Sequence, residues 1–171
     1  MLFGCLALAA CGSSRVEDML VACPTVTLPG DVADLTRFRP DQPPDISTMV
    51  LDARVAAVPA TCRRGPGGTS IVATVTMRAT VERGPGATSR EAALPWFIAV
   101  IENEGDRVLS RQSFLMPVVF PPNVARLTVS SPPVEVAFPL RGERRVQDTR
   151  IMVGFLVNEQ ELALNRRRGP R

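Results

Sequence analysis

Apolar and polar side chains alternate along most of this chain, and a period of two is the pattern of half-buried β-strands. The clearest alternation covers residues 71–82, and similar runs predict strands at 49–55, 134–140 and 151–157. The side chains predicted to face the core on these strands are Ile71, Ala73, Val75, Met77, Ala79, Val81, Met49, Leu51, Ala53, Val55, Val134, Val136, Phe138, Leu140, Ile151, Val153, Phe155 and Val157.

A different pattern marks residues 94–101, which are apolar at nearly every position. A strand of this kind is typical of the centre of a sheet, with its second face covered by a loop or by a partner. The more polar residues 107–116 follow a turn at 103–106 and predict the paired strand of a hairpin. One more strand is predicted near 23–28, and the proline-rich connection 117–133 leaves room for one or two others.

Turn signals separate the predicted strands. The sequence Arg-Gly-Pro-Gly occurs at 64–67 and again at 83–86, on either side of the clearest strand. We interpret both copies as turns and not as a repeat, because two copies around one strand do not make a repeat protein. Residues 41–44 form a further proline-rich connection.

The C-terminal region carries the one helical signal. Asn158 followed by Glu161 resembles a capping box and predicts a short helix, with Leu162 and Leu164 as its apolar members and a basic end at 166–168. Together with the strands, this predicts an all-β fold, an antiparallel β-sandwich of about seven strands, immunoglobulin-like or related, with a short C-terminal helix.

The amino-acid composition excludes several kinds of catalytic and metal-binding site. The 171 residues include no histidine, no tyrosine and no lysine, so all 20 basic residues are arginine. A catalytic histidine, a Schiff-base lysine and a histidine-ligated metal are therefore absent. The net charge of +3 is a mild imbalance that does not predict nucleic-acid binding.

The N-terminus carries a targeting pattern. Residues 1–11 form an uncharged apolar run, too short for a transmembrane helix, which needs about 20 residues. Within it, Leu8-Ala9-Ala10-Cys11 resembles the lipobox of bacterial lipoproteins. The resemblance implies cleavage before Cys11, acylation of that residue, and a lipid-anchored, periplasm-facing protein of the bacterial envelope, with Gly12 favouring the outer membrane. The alternative is that this run forms a buried element of a cytosolic domain.

Two cysteines remain once Cys5 and Cys11 are assigned to the signal and the anchor. Cys23 and Cys62 form an even pair, which predicts a disulfide in an oxidising compartment, and two free core thiols are the alternative. Two sulfurs are too few for a zinc site, and the sequence predicts no metal and no cofactor. The predicted organisation is a signal peptide at 1–10, the lipidated cysteine with a short tether at 11–22, a β-sandwich domain at 23–165 and a basic tail at 166–171.

Candidate contact residues form two groups. The aromatic residues Trp96, Phe97 and Phe114 lie on the predicted central hairpin. Arginines occur in two runs, and their guanidinium groups attract phosphates, anionic headgroups or an acidic partner. The runs comprise Arg141, Arg144, Arg145 and Arg150, and Arg166, Arg167, Arg168 and Arg171.

These observations predict a non-catalytic, membrane-anchored lipoprotein that acts as a scaffold or accessory subunit. It would bind another envelope protein through residues 94–101 or 114–129, by hydrophobic contact or strand addition. The alternative is a carrier that binds a lipid or other apolar ligand between its sheets. The side chains predicted to line that cavity are Trp96, Phe97, Phe114 and Phe155.

A third hypothesis is hydrolysis by paired carboxylates. Glu102, Glu104 and Asp106 cluster around the predicted hairpin turn. A catalytic acid needs a raised pKa and therefore an apolar cleft, whereas a hairpin turn is exposed to water. We therefore expect these carboxylates to be solvated.

Overall fold

Eleven strands and one helix follow one another in the computed structural model, which describes residues 21–140, 146–169 and 171. The strands form a sandwich-like all-β fold with a short C-terminal helix, as the sequence predicts. The strands are β1 (Thr25–Thr27), β2 (Asp34–Phe38), β3 (Met49–Ala57), β4 (Ala60–Arg64), β5 (Ser70–Val75), β6 (Arg78–Arg83), β7 (Glu91–Glu102), β8 (Val108–Val119), β9 (Arg126–Ser130), β10 (Val134–Pro139) and β11 (Thr149–Phe155), and the helix is α1 (Glu159–Arg168).

The strands are arranged in sheets of four, four and three. Sheet I has the order β1-β11-β7-β8, sheet II the order β2-β3-β6-β9 and sheet III the order β10-β5-β4. Only the short strand β1 departs from antiparallel pairing, because it runs parallel to β11. Sheets II and III share three chain segments, since β3 leads into β4, β5 into β6 and β9 into β10. Together they form the layer that faces sheet I.

The junction between sheets II and III lies where prolines remove backbone donors. Pro59 separates β3 from β4, and a Pro-Pro pair at 132–133 separates β9 from β10. Across this junction the Thr76 N–H donates to the Pro59 carbonyl oxygen at 3.0 Å. The single strand predicted at 71–82 is therefore two strands, but its apolar side faces the core throughout, and Met77 at the bend is fully buried.

The hydrophobic core lies between sheet I and the opposite layer. Trp96, Phe120 and Phe155 are its largest fully buried side chains. Complete burial of a large apolar side chain stabilises a fold by about 1.5–3 kcal/mol. Most side chains predicted to face inward are buried here, whereas Leu140 is 37% exposed and lies on the surface.

Strand β7 occupies the interior of sheet I, between β11 and β8, as its two-sided apolar sequence predicts. Phe97, Ala99 and Ile101 point away from the main core and are buried in a second apolar cluster. Val32, from the turn before β2, packs against this cluster and covers the sheet from outside. A side chain at Gly154 would place its Cβ 2.4 Å from Val32 Cγ2, so a glycine is required for this close approach.

Helix α1 begins at the predicted capping box. The Asn158 Oδ1 accepts from the Glu161 N–H at 2.9 Å, and the Glu161 carboxylate accepts from the Asn158 N–H at 2.8 Å. Three arginines fill the last turn, where positive charge favours the helix dipole. Because the helix continues through Arg168, the predicted boundary between domain and tail at 165/166 has no structural counterpart.

The contacts of α1 are mainly polar, which the sequence did not predict. Leu162 and Leu164 are only half-buried, whereas Glu161 and Asn165 are the buried residues of the helix. The Asn165 side-chain amide donates to the carbonyl oxygens of Asp31 and Asp34 at 2.9 and 2.8 Å. Hydrogen bonds therefore hold α1 against the edge strand β2.

The predicted disulfide joins Cys23, just before β1, to Cys62 in β4, with a Cα–Cα distance of 5.6 Å. It links the start of the described chain to sheet III over a sequence separation of 39 residues. On the chain-entropy model a loop of this length stabilises the folded state by about 4 kcal/mol.

Candidate functional sites

Three of the six exposed large apolar side chains among the described residues lie on strand β8, namely Val108, Leu115 and Val119. This strand is 12 residues long and pairs with β7 on one side, and no other described strand pairs with its second side. Of the residues in β8 only Arg111 is charged, and none is acidic. A long edge of this kind presents unpaired backbone N–H and C=O groups to an incoming strand.

Alternate side chains of β8 point to opposite faces of sheet I. Met116 and Val118 are buried in the core, whereas Leu115 and Val119 are 66% and 67% exposed. Pro117 lies between the two exposed residues on the same face. Since proline has no N–H, regular pairing along the free edge would end at Met116. We call the face formed by Leu115, Pro117 and Val119 the β8 patch.

The three predicted aromatic contact residues lie away from the surface that they were expected to form. Trp96 is 1% exposed and packs between the sheets, with its ring centroid 4.7 Å from that of Phe114. Phe97 is buried on the outer face of sheet I, beneath the Arg111 guanidinium, whose carbon lies 4.8 Å from the ring centroid. The prediction of Trp96 and Phe97 as contact residues is therefore wrong, because core packing and the outer cluster bury them. Phe114 is half-buried against the core.

The first arginine run lies mostly outside the described residues. Arg141, Arg144 and Arg145 fall in the segment 141–145, and their expected role stays a prediction. Arg150 is described, and its guanidinium donates to Asn103 at 3.0 Å and to the Asp106 carboxylate.

The second arginine run is largely used inside the molecule. Arg166 pairs with Asp31 at 2.9 Å, and Arg168 donates to the Thr36 hydroxyl at 2.8 Å. Arg167 is exposed and forms no ion pair within the described ranges. The expected basic contact surface is therefore reduced, because two of its three helical arginines stabilise the attachment of α1.

Arg171 extends this attachment to the neighbouring strands. Its guanidinium lies 2.9 Å from the buried Asp34 carboxylate and 3.1 Å from that of Asp52. Burial alone would lower the pKa of Arg171, but the hydrogen bonds to both carboxylates outweigh it and raise that pKa. The residue is charged at all ordinary pH values and forms a structural ion pair.

The carboxylates considered for hydrolysis lie on or beside the turn between β7 and β8. Glu102 pairs with Arg107 at 2.9 Å, and Asp106 pairs with Arg150. Glu104 is exposed. None of the three lines any of the described cavities.

The largest described cavities lie at one end of the sandwich, where the loop after β2 approaches the loop between β6 and β7. One, of about 510 Å³, is lined by Arg39, Arg83 and the buried Phe120, and a second, of about 790 Å³, lies between the loop after β2 and α1. Trp96 and Phe155, expected to line a carrier cavity, line none of the described cavities. The first cavity was not predictable from the sequence, because its two arginines are 44 positions apart.

Comparison with known protein families, with curated proteins and with solved structures finds no match to this chain. Within the ranges that the structure describes, no helix has the length and apolarity needed to cross a membrane, and no group of three potential metal ligands occurs.

Proposed function

We propose that this chain is a non-catalytic envelope lipoprotein, anchored to a membrane through acylated Cys11, that acts as a scaffold or accessory subunit. Its sandwich binds another envelope protein by adding a strand of that protein to the free edge of β8. The observation that carries the proposal is the 12-residue edge strand with its exposed β8 patch.

The anchor is supported by two features of the chain. The lipobox-like sequence ending at Cys11 precedes the first described residue by ten positions, which leaves a tether of at most roughly 36 Å when fully extended. The disulfide between Cys23 and Cys62 is typical of proteins that fold in an oxidising compartment. The tether would hold the sandwich close to the membrane surface.

The chemistry of β8 defines the partner strand. Leu115 and Val119 would contact apolar side chains, and Arg111 would face an acidic side chain of the added strand. A second copy of β8 fits less well, because this strand contains no carboxylate to meet Arg111. We therefore propose a different polypeptide as the occupant.

Mass spectrometry of the mature protein tests the anchor. We expect a chain that begins at Cys11 and carries two or three acyl groups, and we expect Cys11→Ser to abolish both cleavage and acylation. Cys5→Ser is the matched control and should be processed normally. An unmodified chain that begins at Met1 would refute the anchor.

Amide hydrogen exchange tests the docking strand. Peptides from residues 108–116 should exchange more slowly in native membranes than in the detergent-purified protein, because an added strand protects the free edge. Leu115→Glu should remove this protection. Ile46→Glu is the matched control, because Ile46 is 74% exposed at a different site and its substitution should have no effect. Equal exchange of these peptides in both samples would refute the docking proposal.

A further inference from the structure

We propose that the cavity of about 510 Å³ at the end of the sandwich binds a small organic anion that has an apolar body, such as an aromatic or short aliphatic carboxylate. This site is separate from β8 and does not depend on the proposed docking function. Its volume lies within the range of about 300–1,000 Å³ that is typical of small-molecule sites.

One arginine beside the cavity has no side-chain partner among the described residues. Arg83, at the end of β6, lines the cavity, and no acidic or neutral acceptor among the described residues binds its guanidinium. Its Nε is buried and lacks any hydrogen-bond partner. A buried donor left unsatisfied costs about 1–3 kcal/mol, so native proteins rarely retain one without a reason. Because Arg83 lines the cavity, an anion there would supply a countercharge to its guanidinium.

A second guanidinium is held beside the same cavity. Arg39 Nε donates to the Gly86 carbonyl oxygen at 2.7 Å, which fixes the direction of the side chain. Its terminal nitrogens form no ion pair within the described part of the chain. Two arginines on one cavity favour a carboxylate or phosphate, which accepts their paired N–H groups.

The loop between β6 and β7 forms a rigid wall beside these arginines. Gly84 N–H donates to the Val50 carbonyl at 3.0 Å, and Gly86 N–H donates to the Met49 carbonyl at 2.8 Å. A Cβ at Gly84 would lie 2.1 Å from the Met49 oxygen, so only glycine permits this packing. The loop is therefore held against β3, and the cavity is formed before any ligand arrives.

The remaining lining determines the class of ligand. The deeper wall consists of Val50, Leu51, Ala92 and Phe120, which would contact an apolar body. Glu91 also lines the cavity and lowers the net positive charge, so that it favours an anion of low charge over a polyphosphate. The combination fits an organic monoanion.

Calorimetric titration of the full chain in a non-ionic detergent tests this inference. The probes are benzoate, its neutral analogue benzamide, phenyl phosphate and inorganic phosphate. We expect saturable binding of benzoate, and weaker or no binding of benzamide and of inorganic phosphate. Phenyl phosphate shares the apolar ring, so its affinity relative to benzoate identifies the preferred headgroup.

Variants identify the residues responsible. Arg83→Gln and Arg39→Gln should each weaken benzoate binding roughly tenfold or more, which is the effect of losing one charge-assisted hydrogen bond. Ala87→Phe, which narrows the cavity without a change of charge, should also weaken it. Arg64→Gln is the matched control, because Arg64 occupies the same place in the other Arg-Gly-Pro-Gly copy and is exposed.

Thermal unfolding of each variant confirms that it is folded before the titration is interpreted. Binding of benzamide as tight as that of benzoate would overturn the proposal. So would unchanged benzoate binding by folded Arg83→Gln and Arg39→Gln proteins, or no saturable binding of any anionic probe to the unmodified chain.

Discussion

The two Arg-Gly-Pro-Gly copies are identical in sequence but differ in their structural roles. In the first copy, Gly67 and the following Gly68 have positive φ angles of 67° and 69°, and nothing lies within 4 Å of the Cβ that either would carry. In the second copy, Gly84 and Gly86 lie against the backbone at the start of β3, where a Cβ on Gly84 would approach the Met49 oxygen to 2.1 Å and a Cβ on Gly86 would approach Thr48 to 2.6 Å. Gly67 of the first copy therefore needs glycine for its dihedral angle, whereas Gly84 and Gly86 of the second copy need it for packing against neighbouring backbone. Close packing in the first copy is limited to Gly65, where a Cβ would meet the Ser70 side-chain oxygen at 2.0 Å.

The arginines of the two copies also differ in their surroundings. Arg64 is exposed at the end of β4, whereas Arg83 is partly buried and lines a cavity. A short motif therefore predicts a turn, but it does not predict what the turn packs against. The packing of the second turn depends on Arg39, Met49 and Phe120, which are distant from it in sequence.

Removal of the disulfide that holds β4, the strand leading into the first copy, should have the largest effect on the free energy of unfolding. Cys62 lies in β4, two residues before Arg64, so the disulfide holds this strand while the loop itself is exposed. The double substitution of Cys23 and Cys62 by serine should lower the free energy of unfolding by about 4 kcal/mol. Urea denaturation measures it, and reduction of the unmodified protein is the control. A loss below about 1 kcal/mol would show that the covalent link contributes little to the stability of the fold.

Gly84→Ala should have the next largest effect on the free energy of unfolding. The added methyl group would lie against the Met49 carbonyl, so β3 or the loop must move, and we expect a loss of about 3 kcal/mol in the free energy of unfolding. The change in denaturation midpoint measures this loss. A loss no greater than that of Gly67→Ala would contradict the packing role of the second copy.

Gly67→Ala should lower the free energy of unfolding by less, about 1 kcal/mol. A Cβ at this position meets no neighbouring atom, so the only penalty is the positive φ angle. The same denaturation experiment applies. Asn is a better-tolerated residue at positive φ, and Gly67→Asn should therefore recover part of the loss. If Asn and Ala are equally costly, backbone conformation is not the reason for the glycine.

The smallest expected effect distinguishes the two arginines. Arg83→Met removes an unsatisfied buried donor and should leave the free energy of unfolding unchanged or raise it by about 1 kcal/mol. Arg64→Met, at an exposed site, should change it by less than about 0.5 kcal/mol. A marked destabilisation by Arg83→Met would show that this guanidinium has a stabilising partner in the fold.

The parts of the fold that depend on local pattern were predictable from the sequence. Alternation located the inward faces of β3, β5, β6, β10 and β11, the two-sided apolar run located β7 inside its sheet, and the capping box at Asn158 located the start of α1. These features depend on neighbours within a few residues. The disulfide was predictable because the chain leaves two cysteines to pair.

Features that depend on tertiary contacts were missed. Strand β2 is short and contains the polar residues Asp34, Thr36 and Arg37, whose burial depends on ion pairs and hydrogen bonds with distant partners. The same network explains why the predicted basic tail is part of the domain. Trp96 was named as a candidate contact residue although a core position was the more common one for a lone tryptophan, because apolar residues on both sides of it left its face undetermined.

The central claim is that the free edge of β8 binds another envelope protein, and site-specific photo-cross-linking in intact cells tests it most directly. A cross-linking residue in place of the exposed Ser113 should give one adduct of defined mass that contains a second polypeptide. The same residue in place of Ile46 should give none, and Leu115→Glu should abolish the adduct at position 113. The absence of any adduct at 113, or an adduct with twice the mass of this chain, would contradict the account.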